Sequence, residues 1–588
     1  TIPKNGTYST EGTNSAASDV NGTNGTLKLH PAEYESMSLL PVELAVDADR
    51  DGLVTFGSDS TSGDKPFRFW VNDDHDHGVD TEDLTGDRNC DDGMVNGIRD
   101  LEDFTVLKIR IGSLRHMLTE QNGKIGFRWK DTSGGSPSCR IFTGSPSLVK
   151  AADYLSTPDG AETVRAQNNL FGRNTLVSGG SAAWLRSSLL TETSSDEITL
   201  LMEGCADGKG KLTLVFELNG QTFDGPSLDV QLLRVGEMYD RGRITVDAPG
   251  IPNPWDNVNP PALTWEPDTA AGSPKVDPNA KAKTIIWVHG WRMDYAEYAS
   301  WGDTSFKRLW QMGFKGRFYA FRWPTFSGEN DGLPSLENIT PLDLWRDGGL
   351  TYNASEYRSW LSGPALANFV NQTANSGSRY LFAHSMGNVI SGAALRSGMN
   401  VTKYAMCNAA MASMAYDGVH NDQPDNEFET VDTDPTPLAA AFWGLSNLFN
   451  PAGRTTMVNF ALEADEALDL WRLNNKYFKP YNFILWGYGY DRWDAHPNEK
   501  LWYGNLGGIS FKRYLTTDAE AFGYCVQART RAAGAKLTVG NMESTVNMGG
   551  PSFNFGVKHS AEWDRAYQNS YGFWKELMKK FEEDVSNR

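Results

Sequence analysis

The stretch YLFAHSMGNVISGAAL, Tyr380–Leu395, constrains the fold of this 588-residue chain more than any other. An apolar strand pattern ends at Phe382, the turn Ala383-His384-Ser385-Met386-Gly387 follows, and a helix with small residues begins at once. So abrupt a change from strand to helix requires a sharp backbone turn packed closely from beneath, which explains the small residues on both sides of the serine. The turn lifts the Ser385 hydroxyl above a sheet and aims the positive end of a helix at it. The motif is a variant of the nucleophile elbow G-x-S-x-G, with Ala383 in the first small position. Taken alone, small-x-Ser-x-Gly also occurs in strand-to-helix turns that carry no chemistry.

The surrounding sequence says what kind of sheet this is. From Thr284 onward short β runs alternate with helical segments, as a parallel sheet with crossover helices requires. Earlier, Phe104–Gly112, Lys124–Lys130, Glu197–Gly204, Lys211–Gly220 and Ser227–Val235 are apolar or alternating runs bounded by turn residues. No helical pattern separates most of them, which suggests an antiparallel sandwich. Ser145–Leu190 is less regular and reads as a short helix or long loop. Between the two halves lies a Pro/Ala/Asp segment whose prolines favour a surface linker. Length agrees with several domains, roughly two to four. The expected division is a flexible polar tail over 1–33, a β-rich Asp-containing domain over 34–246, a linker over 247–283 and an α/β domain over 284–588.

In such a fold an acid and a base follow the serine in chain order. His559, in FGVKHSAEW, precedes a final amphipathic helix whose apolar stripe is Trp563, Tyr567, Trp574, Met578 and Phe581. It is the expected general base, with His496 in RWDAHPN as the alternative; His420 precedes any plausible acid and is set aside. Asp465 follows a strand in TTMVNFALEADEAL and is the expected acid, with Glu463 and Glu466 in competition. Three acids so close together also suit a solvated helix start. Upstream, KTIIWVHGW ends a buried-looking strand in His289-Gly290. This loop and the residue after the serine are expected to offer an oxyanion hole from the backbone N–H groups of Trp291 and Met386. His289 itself reads as structural, holding the loop by hydrogen bonds.

Together WVHGW, FYAFRWPTFSG (Phe318–Gly328), AHSMGN, ADEAL and the late histidine with its helix resemble an α/β-hydrolase family of bacterial esterase-like proteins. The resemblance covers about Thr284–Phe581. It implies an α/β-hydrolase fold, a mostly parallel sheet flanked by helices, and a serine esterase or lipase-type hydrolase working through an acyl-enzyme without a catalytic cofactor. It departs from the family at Ala383, where glycine is usual, and in the long aromatic stretch Leu473–Ser552. Pro435–Asn450 and Tyr477–Trp493 read as a lid and a pocket lining, or else as core covering the sheet edge. The implied substrate is an ester-containing small molecule, lipid or polymer. The rival expectation is a non-enzymatic surface module, structural or adhesive, built on the same shell.

The first half resembles Asp-rich β modules of large bacterial surface proteins. VDADRDGLVTFGS, Val46–Ser58, places Asp47, Asp49, Asp51 and Gly52 at the first, third, fifth and sixth positions of an EF-hand loop. Ser58 stands where the closing glutamate belongs, so the expected site is an irregular structural Ca²⁺ site, completed by carboxylates such as Asp73 and Asp74. A solvated acidic face is the alternative, and His75 and His77 admit a transition metal. The net charge of −20 argues against nucleic acid and anionic membrane surfaces as partners. Five widely spaced cysteines without a CxxC pair form no zinc pattern. The polar opening, and a start at Thr1 with no signal peptide, read as a processed secreted or cell-surface bacterial protein.

Overall fold

Side chains alternate between the two faces of a strand, so a strand hidden at every residue must be covered on both sides of its sheet. The computed structural model describes residues 42–72, 101–112, 114–143, 155, 173–192, 195–246, 262–268, 277, 280–293, 295–325, 349–373, 377–410, 455–462, 465, 467, 505–506, 509–510, 542–550, 553, 555–556, 558–563 and 567–586. Among these, the first half forms two five-stranded sheets. One contains β1 (Glu43–Val46), β3 (Thr105–Arg110), β5 (Ser138–Thr143), β6 (Arg173–Ser178) and β8 (Glu197–Ala206), in the order β1-β3-β8-β5-β6 and antiparallel throughout. The other contains β2 (Phe67–Trp70), β4 (Lys124–Ser133), β7 (Ala183–Trp184), β9 (Gly208–Leu218) and β10 (Gln221–Leu233), in the order β2-β10-β9-β4-β7. Its β2–β10 pair is parallel, a departure from the all-antiparallel expectation. A short helix α1 (Leu114–Glu120) turns the chain from β3 into β4. Strands β6 and β7 fall within the segment expected to be irregular.

The third sheet has eight strands: β11 (Asp240–Ile244), β12 (Trp265–Pro267), β13 (Lys283–Val288), β14 (Arg317–Arg322), β15 (Ser378–His384), β16 (Lys403–Cys407), β17 (Thr456–Ala461) and β20 (Met542–Asn547). A two-residue hairpin, β18 (Asn505–Leu506) and β19 (Ile509–Ser510), stands apart. The order is β12-β11-β14-β13-β15-β16-β17-β20, with every pair parallel except the antiparallel edge β11–β12. The expected boundaries therefore need correction. β11 lies in the segment assigned to the β-rich domain and β12 in the segment assigned to the linker, yet both belong to this sheet. An edge position makes this possible, because Pro267 there needs no inner ladder donor.

Both faces of this sheet are covered, which is why its strands are apolar almost without interruption. Ile285, Trp287, Tyr380 and Phe382 face one core, shared with Phe306 and Leu309 of α2 (Tyr295–Gln311) and Phe573, Trp574 and Leu577 of α5 (Tyr567–Lys580). Their neighbours Ile286, Val288, Leu381 and Ala383 face the other, with Leu366 and Phe369 of α3 (Gly349–Thr373) and Val389 and Ile390 of α4 (Gly387–Arg396). The first core continues without a break into Phe67, Phe69, Trp70 and Phe104 of the first half. Cys139 and Cys407 are buried free thiols and Cys205 is buried, with its Sγ 4.0 Å from the Glu203 carbonyl oxygen; Cys90 and Cys525 lie outside the described residues.

Charged groups are sealed into this junction. Lys307 Nζ lies 2.9 Å from Asp103 Oδ1, with both side chains fully buried, and the Trp70 indole donates to the same oxygen at 3.2 Å. Beside it Arg308 Nε donates to Glu102 Oε1 at 2.8 Å, and Gln311 donates to the carbonyls of Glu102 and Phe104. Removing one member of such a pair leaves the other charge in an apolar interior. Lys307→Met should therefore destabilise the chain by about 3–5 kcal/mol, read from denaturant unfolding, and adding Asp103→Leu should recover much of that loss.

Candidate active site

The order of strands fixes where a site can form. The chain moves from β13 to β14 on one side and then returns to place β15 on the other, so the topological switch lies between β13 and β15. Crevices in open α/β sheets occur at the carboxyl ends of the strands flanking such a switch. Gly290 follows β13 and Ser385 follows β15. An ideal Cβ on Gly290 would sit 3.1 Å from the Ser385 Cβ, so the glycine lets the two loops meet. Gly387 is needed for a similar reason, since a Cβ there would lie 2.5 Å from the His289 carbonyl oxygen.

Ser385 has φ 51°, in the left-handed region that a non-glycine residue enters at a cost of about 1–2 kcal/mol. Several hydrogen bonds hold it there. Its N–H donates to the Cys407 carbonyl at 3.0 Å, and its own carbonyl accepts from the Asn388 and Ala410 amides at 3.1 and 3.2 Å. The buried Asn388 side chain donates to the Ala383 and Ser385 carbonyls at 3.0 and 2.9 Å and accepts from the Tyr404 hydroxyl at 2.6 Å. Helix α4 starts at Gly387 with Met386 as its N-cap, so the Met386 peptide lies at the positive helix end, directly after the serine. Ser385 is 9% exposed.

Trp291, the other expected oxyanion residue, directly follows the glycine that touches Ser385. Its indole donates to Ser355 Oγ at 3.0 Å, Ser355 shares a 3.2 Å hydrogen bond with Thr325 Oγ1, and Thr325 accepts the Arg292 amide. These bonds pin the loop from α3 and from the end of β14. His289 completes the frame. Its Nε2 accepts the Trp323 amide at 3.1 Å, which leaves Nδ1 to donate to the Gly290 carbonyl at 2.8 Å, and its ring stacks on Trp323. The ring is a buried neutral clamp, as expected of a structural histidine.

Asp465 and His559, expected as acid and base, are brought together from positions 94 residues apart. His559 Nδ1 lies 2.6 Å from Asp465 Oδ2; the Asp465 side chain is fully buried and that of His559 is 16% exposed. Asp465 follows β17, and His559 lies between β20 and α5, so both enter from carboxyl ends of parallel strands. The loop of His559 is tied to the serine loop. The His559 carbonyl accepts from His384 Nε2 at 3.0 Å and from Asn408 Nδ2 at 2.7 Å, and the His384 and His559 rings lie 4.8 Å apart. The competing Glu463 and Glu466, the alternative base His496, His420, and the stretches 435–450 and 477–493 lie outside the described residues.

Three residues close to this constellation were not singled out in the sequence: His384, Asn408 and Glu562. Asn408 adopts φ 42° one residue after β16, and asparagine tolerates that conformation better than most residues, a signal visible only once the strand end is known. Glu562 is fully buried in the 3-10 turn Ala561–Trp563. Burial, reinforced by the nearby Asp465, pushes its carboxyl well above the ordinary range.

Away from this site, Asp47, Asp49 and Asp59 place carboxylate oxygens within 4.8 Å of one another. Asp51 is turned differently from expectation: it caps the Leu53 amide at 2.8 Å, while Asp47 takes the Asp51 and Gly52 amides. The third converging carboxylate is Asp59, one residue past Ser58, where an EF-hand template looks. Burial, with Asp49 and Asp51 adding repulsion, raises its carboxyl above the usual range. A like-charged oxygen cluster of this kind suits a hard cation. Asp73 and Asp74 lie outside the described residues.

No family model matches this chain, and no curated protein matches it. Among solved structures, acetyl xylan esterase 1 from Thermoanaerobacterium sp. JW/SL YS485 is similar at 13% identity and a TM-score of 0.18, covering 44% of this chain and 69% of that one.

The buried His289 ties acid sensitivity to the site. Burial lowers its pKa from 6.5 to about 3, with Arg322 repulsion adding to the effect and the Gly290 bond opposing it. The unfolded chain therefore binds a proton here that the native chain refuses. Stability from this group is complete above about pH 6.5 and is lost as pH falls towards about 3, at about 1.4 kcal/mol per pH unit. In His289→Phe, proton uptake on unfolding between about pH 4 and 6 should fall by about one, measured from the pH dependence of the unfolding free energy.

Proposed function

We propose that this chain is a serine hydrolase of carboxylic esters, carried by an α/β-hydrolase fold in its C-terminal half. The observation that carries the reading is the 2.6 Å hydrogen bond between His559 and a buried Asp465, on loops tied to the left-handed turn of Ser385. In this reading His559 Nε2 takes the Ser385 hydroxyl proton as Oγ attacks the ester carbonyl carbon. Asp465 fixes the ring tautomer through Nδ1 and stabilises the imidazolium. The developing oxyanion is met by the Trp291 and Met386 N–H groups and by the end of α4. Collapse expels the alcohol, protonated by His559, and leaves an acyl-serine. Water, deprotonated by the same histidine, then releases the acid and restores the hydroxyl. The substrates proposed are small-molecule, lipid or polymer esters met outside the cytoplasm.

A fluorophosphonate should form one stable adduct, mapped by mass spectrometry to Ser385. Asp465→Asn should slow both labelling and chromogenic-ester turnover by about 10⁴-fold, and His559→Ala should slow them at least as much. A folded wild-type chain that takes no label would leave the shell as a structural or adhesive module.

We further propose that Asp47, Asp49 and Asp59 hold a structural Ca²⁺ with no part in the chemistry. Saturating Ca²⁺ at a hundredfold excess over Kd should stabilise the native chain by about 2.7 kcal/mol, seen as a higher melting temperature than in EDTA. The difference should disappear in Asp59→Asn, while fluorophosphonate labelling stays unchanged.

A further inference from the structure

Glu562 is a fully buried carboxyl three residues after the candidate base, and nothing in the proposed ester chemistry uses it. Its Oε1 accepts from Asn408 Nδ2 at 3.0 Å, and the same amide nitrogen donates to the His559 carbonyl at 2.7 Å. Both protons of the Asn408 amide are thereby committed, one to the backbone of the base and one to Glu562. The Glu562 backbone is fixed independently, because its carbonyl accepts from Arg308 at 2.8 Å and from the Trp574 indole at 2.9 Å.

We propose that Glu562 is a positioning residue for His559, acting through Asn408 by accepting one proton of the amide whose other proton holds the His559 carbonyl. Without an acceptor at Oε1 the Asn408 amide is free to rotate, and the His559 carbonyl loses one of its two anchors. The other groups around Glu562 agree with the neutral form. Asp465 and Cys407 face it from the ends of β17 and β16, Arg308 from α2 is spent on its backbone carbonyl, and His384 packs on the adjoining Trp563. An ionised Glu562 would put a second carboxylate charge beside Asp465, which burial in a low-dielectric interior opposes. It would also stabilise the protonated form of His559, the form that cannot accept the serine proton. Keeping Glu562 protonated avoids both effects and retains the hydrogen bond.

This inference rests on the serine-hydrolase reading, and its test separates the two. The rate of fluorophosphonate labelling at Ser385 in the full chain is measured against pH for wild type, Glu562→Gln, Glu562→Leu and Asn408→Asp. Glutamine keeps the acceptor and the neutrality, so its labelling rate should stay within about threefold of wild type, with the same acid midpoint. Leucine removes the acceptor and should slow labelling about a hundredfold, the scale of a displaced catalytic group. Should Glu562→Leu not fold, Asn408→Asp removes both donors while tolerating the left-handed backbone, and should show a similar loss. A lower acid midpoint in Glu562→Gln would mean that Glu562 acts as a charge and would overturn the proposal. Wild-type rates in Glu562→Leu or in Asn408→Asp would overturn it too. A folded wild type that takes no label at Ser385 would remove the hydrolase reading and this role with it.

Discussion

A serine held at φ 51° at the end of a parallel strand is the constraint on which the rest of this site depends. The conformation is intrinsically unfavourable for an L-residue, so it persists only where surrounding contacts outweigh it. Those contacts come from β16 and α4. The neighbouring strand β16 receives the serine amide, the Asn388 side chain ties together the carbonyls on either side of the turn, and Tyr404 fixes that asparagine. Gly290 and Gly387 supply the room, because a Cβ at Gly387 would collide with the His289 carbonyl and one at Gly290 would crowd the serine loop at 3.1 Å. The first small position of the motif, by contrast, accepts Ala383. Its side chain is buried in the core shared with Val389 and Ile390 of α4.

The remaining elements converge on that fixed point through the backbone. The His559 carbonyl carries the hydrogen bonds to His384 and Asn408, and the imidazole meets Asp465 through Nδ1. The loop bearing the candidate base is thus located by groups at the ends of β15 and β16, while the ring orientation is set separately from the end of β17. Positioning and orientation are divided between different strands of one rigid sheet. A catalytic group built in this way gains its placement from the sheet rather than from its own loop.

Much of this was legible in the sequence because it follows from chain order and periodicity. An apolar run, a turn with small residues and a helix marked Ser385 as lying at a strand end. The late histidine ahead of an amphipathic helix and the aspartate after an apolar strand were placed by the same logic, and the structure sets those two side chains in contact. What was not legible depends on pairing between distant residues. β11 and β12 look like strand and linker of the first half, yet β11 pairs with β14 across a long sequence separation and β12 adds to the sheet on its other side. β6 (RNTLVS) is too polar to show the alternation of a strand and is completed by β5. Asn408 and Glu562 carry no local signature, since their roles exist only where three loops meet. Asp59 was missed because a template with fixed spacing inspects Ser58, one residue short of the carboxylate that folds back towards Asp47.

The two halves of the chain therefore cannot be understood as modules joined by a linker. Helix α2 has one side on the parallel sheet and the other on β2 and the 3-10 turn Leu101–Asp103, where Phe67, Phe69 and Trp70 pack against Trp310. Without the first half, α2 would expose those aromatic contacts together with Lys307 and Arg308, which pair with Asp103 and Glu102 across the junction. Arg308 also reaches the other way, to the Glu562 carbonyl and Ser570 Oγ at 2.8 Å each. One guanidinium thus touches the first half, the loop that follows His559 and the helix that closes the sheet. Strain introduced at Glu102 has a short route of buried hydrogen bonds to the candidate base, and the β-rich half forms part of the wall that holds the site in place.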